Sequence, residues 1–171
     1  MSGSQQEAVR GGFGRLAVAV AIITTLDGGR PHGCTGMAWA EHTDPPLLLT
    51  TLRRQGQTLR LVARTGQFGV SVLSDNQEAY VRQFAAAPRA AHRGGGPGGR
   101  FTGVAWSAGP CLQLPLLEDC AASFECEVES MYPFGAHKIV VGRVAAARTS
   151  GDLRALVHYD GRLWSLWEAG Q

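Results

Sequence analysis

The sequence predicts a mainly β fold with short helices, closed as a Greek-key barrel, and three observations carry that prediction. Runs rich in Val, Ile and Thr recur between Gly, Pro and Asp turn signals. Helical patterns are few and short. The chain turns tightly after most strands, without the long helical crossovers that a parallel sheet requires. At 171 residues, 44% hydrophobic and 18% charged, it is long enough to bury one core without staples.

Residues 1–12 are polar, lack apolar periodicity, and read as a lead segment or short helix ahead of a domain spanning 13–168. Leu16 to Leu26 reads as a buried strand, Asp27 to Arg30 as a turn, and Pro31 to Ala40 as the return of a hairpin. Pro45-Pro46 cannot donate to a central ladder, so it precedes the next strand, Leu47 to Leu52. Gly56 to Thr65 reads as a helix with Leu59, Val62 and Ala63 on one side and Gly66 as its left-handed cap. After a strand at Phe68 to Leu73, Ser74-Asp-Asn-Gln77 has the form of a capping box opening a helix to about Ala86, with Ala79, Tyr80 and Phe84 on its apolar side.

Ala87 to Arg100 is Ala, Pro, Arg and Gly with little to bury, and reads as a flexible loop. Cys120 to Glu129 alternates, with Ala122, Phe124, Cys126 and Val128 on a buried face and Ser123, Glu125, Glu127 and Glu129 on a wet one. Pro133-Phe134-Gly135 reads as a turn into a strand, His137 to Ala147, that is apolar on both faces. A last strand spans about Gly161 to Trp167.

Several function classes fall away. Sixteen basic and fourteen acidic residues, scattered without a run of like charge, give no electrostatic case for nucleic acid or a membrane surface. Cys34, Cys111, Cys120 and Cys126 form neither a zinc pattern nor a secreted disulfide framework, so the expectation is a cytoplasmic protein with free thiols and no metal. The apolar run from Leu16 enters a hairpin, which argues against a signal peptide. Gly94, Gly96 and Gly99 match G-x-G-x-x-G, yet no strand precedes them and Pro97 interrupts them, so a dinucleotide fingerprint is rejected. No nucleophile elbow, His-Glu-x-x-His or paired-carboxylate motif is present.

Two stretches remain as a candidate ligand site. Gly33 to Ala40 has small side chains that let a ligand lie against backbone donors. Arg53-Arg-Gln-Gly-Gln-Thr58 is a basic turn suited to an anion, so a ligand with a flat polar ring and a phosphate fits both.

Taken in order, Ala19-Val-Ala-Ile-Ile-Thr-Thr25, Gly33-Cys-Thr35, Asp44-Pro-Pro46, Phe68-Gly-Val-Ser-Val-Leu73 and Gly135-Ala-His-Lys-Ile-Val-Val-Gly142 resemble the flavin reductase family of the FMN-binding split barrel. That family comprises the NAD(P)H-dependent components that supply reduced flavin to two-component monooxygenases. The resemblance implies a homodimer with flavin at the subunit interface, FMN or FAD as flavin, and NADH or NADPH as reductant. It implies that Thr35, Gly36, Met37 and Ala38 lie along the ring, with Trp39 and Phe84 counted among the cofactor-facing residues. Leu52, Arg53, Gln57 and Thr58 surround the phosphate, His137 lies near flavin and nicotinamide, and Tyr159 and Arg162 help to close the site. Hydride transfer between two cofactors asks the protein for position and electrostatics, which accords with the missing catalytic motifs.

The sequence departs from the family pattern where many members carry serines, at Gly36, Met37 and Ala38, so backbone donors must serve the ring there. Gln55 and Gly56 likewise stand where the family has Ser or Asn. From the residues alone other readings stand: His137 as a satisfied core histidine, Trp39, Trp106, Trp164 and Trp167 as core or interface anchors, and Cys34 as a small buried residue. A flavoprotein that holds its flavin tightly as carrier or oxidase, and a non-catalytic binding module, are the alternative functions.

Overall fold

A computed structural model describes residues 2–42, 44–85, 99–151 and 153–166. Among the described residues the strands are β1 (Val18–Asp27), β2 (Arg30–Glu41), β3 (Leu47–Arg53), β4 (Gln67–Val72), β5 (Trp106–Ala108), β6 (Pro115–Leu117), β7 (Ala122–Phe134), β8 (His137–Thr149), β9 (Leu156–Tyr159) and β10 (Arg162–Ser165). The helices are α1 (Gly3–Gly14), α2 (Gln57–Thr65) and α3 (Glu78–Ala85).

The main sheet runs β10-β9-β1-β2-β3-β8-β7-β4, and β4 pairs back onto β1. Strands β1-β2-β3-β8-β7-β4 therefore close a six-stranded antiparallel barrel, with the β9–β10 hairpin attached outside β1. Inside it lie Ala21, Ile23, Leu48, Leu52, Phe68, Val70, Cys126 and Val140, capped by Leu59 and Val62 of α2. A second core outside β1 joins Val20, Ile22 and Leu73 to Phe84 of α3, Phe101 and Val104. Strand alternation produces both, since odd residues of β1 point into the barrel and even ones out.

Hairpin β1–β2 and the Gly66 cap (φ +69°) follow the sequence expectation, whereas Pro133 and Phe134, expected in a turn, end β7 and the turn is Gly135–Ala136. The Ser74 box is present as Ser74 N–H donating to Gln77 Oε1 at 3.1 Å, leading through a 3-10 turn into α3. The lead segment is a helix, α1, opened by a Ser2/Gln5 capping box and burying no residue. The expected loop from Ala87 lies outside the described residues up to 98, while Gly99–Phe101 form a 3-10 turn. Ala86 and Trp167 also lie outside the described residues.

Three expectations are corrected. Strands β5, β6 and β9 are only three or four residues long and were not anticipated, because so few residues give no readable period. Ser123 and Glu125, both assigned to a wet face, are buried, Glu125 wholly. Its face of β7 is covered by the segment before β6, whose Cys111, Leu112 and Leu114 N–H groups donate to the Glu125 carboxylate at 2.7, 2.9 and 3.0 Å. Strand β8 is buried on one face, at Val140 and Gly142, whereas Ile139 and Val141 on the other are half-buried.

Candidate functional site

Strand directions set the site's position. β3 ends, β8 begins and α2 starts at one rim of the barrel, and the register pairs Arg53 with His137 there. The turn after β3 is tied across to the β7–β8 turn by Arg54 N–H donating to the Ala136 carbonyl at 3.0 Å. Gly56 N–H donates to the Arg53 carbonyl at 2.9 Å and Gly56 then serves as N-cap of α2. Glycine offers no side-chain cap, and the first turn of α2 holds no acid, so no side chain caps its first N–H groups. Arg53, Arg54 and Gln57 are exposed around it, and neither arginine has an ion pair among the described residues. Exposed guanidinium groups beside a helix N-terminus are donors that could hold an anion.

The ring half lies where β2 and β3 part. Their ladder runs from Glu41↔Leu47 to Ala38↔Thr50 and stops, so Thr35–Met37 and Thr51–Arg53 lie beyond their shared pairing. The Thr50 hydroxyl donates to the Met37 carbonyl at 2.8 Å at the point of parting. Backbone groups on that edge of β2 are what a flat polar ring could use, and they continue toward the arginines. The donor set fits a flavin: backbone edge for the ring, two guanidinium groups and an uncapped helix for the phosphate.

Around this edge the outer wall of β2, β3, β8 and β7 carries Met37, Trp39, Leu49, Val141, Ile139, Tyr132 and Phe134, as register neighbours that point the same way. Met37, Trp39, Tyr132 and Phe134 are 36%, 44%, 55% and 60% exposed. Tyr132, Phe134, Leu49 and Ile139 were not among the expected site residues. For Ile139 the available signal is that β8 reads as apolar on both faces; the others lie on β3 and β7, whose own patterns do not mark them.

The residue-level expectations divide. Met37, Trp39, Arg53, Gln57 and His137 lie on this wall or rim. Gly36 and Ala38 face the barrel interior: a Cβ at Gly36 would stand 2.8 Å from Ile23 Cγ1, so core packing requires that glycine. Leu52 also points into the core. The Thr35 hydroxyl faces outward but donates to the Val81 carbonyl of α3 at 2.8 Å. Thr58 is 4% exposed with its hydroxyl 3.2 Å from His32 Nε2, so the side chain is taken up within the protein. Phe84 is wholly buried and packs edge-on against Phe101 at 5.1 Å, so it is a core residue and not a cofactor contact.

Tyr159 and Arg162 belong to the β9–β10 hairpin, which pairs with the start of β1 at the rim opposite Arg53 and His137. The Tyr159 hydroxyl accepts from Arg15 Nη1 at 3.3 Å, and its carbonyl from Trp164 Nε1 at 3.1 Å. Within one subunit the structure therefore does not bring them to the anion rim.

All four cysteines are free, burial pushes the Cys34 thiol up, and it pushes Cys120 and Cys126 up to about 12. No cluster of metal-ligating side chains occurs among the described residues, and no helix among them is long and apolar enough to cross a membrane.

Residues 13–166 match the flavin reductase like domain family. An NADH-dependent flavin reductase from Rhodococcus is 33% identical over 162 residues, covering 92% of this chain and 85% of that protein. A protein of Rhizobium meliloti strain 1021 described as a probable flavin reductase is 33% identical over 146 residues, and the chain spans 44% of its length. Among solved structures, BorF, the flavin reductase component of a bacterial two-component tryptophan halogenase, superposes with a TM-score of 0.78 at 30% identity, covering 95% of this chain and 99% of that one. The split between β2 and β3, the basic rim and a match from residue 13 to residue 166 agree: this chain belongs to the flavin reductase like family.

Proposed function

We propose that the chain is an NAD(P)H:flavin oxidoreductase that passes reduced FMN or FAD to a flavin-dependent oxygenase. The observation that carries this reading is the parted β2 edge running into the arginine rim, in a chain whose relatives include NADH-dependent flavin reductases and reductase subunits of monooxygenases. When bound, flavin supplies a ring that accepts a hydride from the reduced nicotinamide. Arg53 and the first turn of α2 hold the phosphate by charge-assisted bonds, the β2 edge orients the ring, and the apolar wall excludes water.

His137, at the mouth of β8 beside Arg53, is the residue proposed to orient the nicotinamide nucleotide. His137→Ala should slow flavin reduction roughly tenfold or more while shifting oxidised-flavin affinity and thermal stability little. Stopped-flow reduction by NADH, run beside a melting curve, checks it. A large fall in melting temperature with an unchanged reduction rate would make His137 a structural residue.

The wall argues for a homodimer as the working form. Trp39, Tyr132 and Phe134 lie open beside the ring edge, and a second copy seated there would cover them and shield the reacting atoms. Light scattering should give a dimer at micromolar concentration, and Phe134→Asp with Tyr132→Asp should yield monomers with flavin turnover reduced at least tenfold. A wild-type monomer with full activity contradicts the arrangement.

A further inference from the structure

Beneath the proposed phosphate turn, two side chains of β2 meet the first turn of α2. His32 Nε2 stands 3.2 Å from the Thr58 hydroxyl, with the Cys34 thiol beside that hydroxyl. Arg100 joins from the 3-10 turn, with its Nη1 donating to the Gly33 carbonyl at 2.9 Å. Asp27, at the end of β1, is the nearby acid, and it is ion-paired with Arg64 of α2 at 2.7 Å.

We propose that His32 is a positioning residue for the phosphate-binding turn: through Thr58 it fixes the first turn of α2, and its charge state sets how tightly that turn holds a phosphate. The proposal rests on the phosphate lying at that turn.

A neutral imidazole Nε2 can accept from Thr58 or donate to it. A protonated one can only donate. Protonation therefore makes the Thr58 oxygen an acceptor and adds a positive charge beside a helix N-terminus. With no anion bound that charge is opposed by the helix dipole, by burial and by Arg100. Burial and then Arg100 hold His32 below its ordinary value, against a smaller pull from Asp27. A bound phosphate reverses the balance, because the new charge then faces an anion. By linkage, phosphate must raise the proton affinity of His32 by the same factor that protonation raises the affinity for phosphate. Among the described residues, the charged and titratable groups set against His32 are Asp27 of β1, Cys34 of β2, Arg64 of α2 through its pair with Asp27, and Arg100. Of these side chains, His32 is the one whose ordinary range falls between pH 5 and 8.

The test compares FMN with riboflavin, which differ by the phosphate, in wild type, His32→Asn and His32→Phe from pH 5.5 to 8. Toward acid pH, the wild-type preference for FMN should rise about three- to tenfold relative to His32→Asn, in which the titration of the ligand's own phosphate is common to both. At neutral pH His32→Phe should weaken FMN about three- to tenfold and leave riboflavin unchanged. In parallel, the His32 ring resonance of the wild-type protein, assigned with the Asn variant, should titrate at higher pH with FMN than with riboflavin. Coincident preference curves for wild type and His32→Asn, or an unmoved ring titration, overturn the proposal. Failure of the phosphate reading itself is separate, since it appears as an Arg53→Ala protein that does not distinguish the two flavins. If His32→Phe does not fold, the wild-type ring titration decides.

Discussion

Glu125→Ala should destabilise the fold by about 3–5 kcal/mol, a fall of roughly 10 °C in melting temperature for a chain of this size. The carboxylate is wholly buried and is the acceptor for three backbone N–H groups, those of Cys111, Leu112 and Leu114. Truncation strands all three donors and opens a void beside Gly109, which packs directly on the carboxyl group. Glu125→Gln should fall between, because the amide keeps one acceptor oxygen and turns an NH2 toward donors. Urea melts of the three proteins check the order. Melting of Glu125→Ala within about 2 °C of wild type would mean that the covering segment is held by its apolar contacts alone.

Arg53→Ala should weaken FMN by about ten- to a hundredfold, about 1.5–3 kcal/mol, while changing riboflavin affinity little. The side chain is exposed beside the uncapped start of α2, so little folding energy depends on it. The effect should shrink as salt rises, because an exposed charge pair is screened. Fluorescence quenching titrations with the two flavins measure the difference. Equal weakening of both would place the phosphate elsewhere.

Much of the fold was legible because local rules and the tertiary structure agree. The β1–β2 hairpin and α2 with its Gly66 cap are written in residues within a few positions of one another. The basic turn at the start of α2 was legible for the same reason, since Arg53 to Thr58 is one turn and the start of one helix. What escaped depends on distant cover. Glu125 alternates as a wet residue and is buried by a segment more than ten positions away. Phe84 reads as an apolar helix residue, and its own pattern cannot say whether a ligand or Phe101 faces it. At the ring, Gly36 looked like room for a ligand and is instead room for Ile23, while the Thr35 hydroxyl is taken by α3. The parting of β2 from β3 is likewise a matter of register between strands, which no single strand's sequence displays.

The most direct test of the account is steady-state oxidation of NADH and NADPH by the purified protein with FMN, FAD or riboflavin added. The account predicts nucleotide oxidation that depends on added flavin and saturates with it, with reduced flavin released in a form that supports a flavin-dependent oxygenase. Protein that stays tightly yellow yet fails to oxidise either nucleotide, or that does so with none of the three flavins, would contradict it.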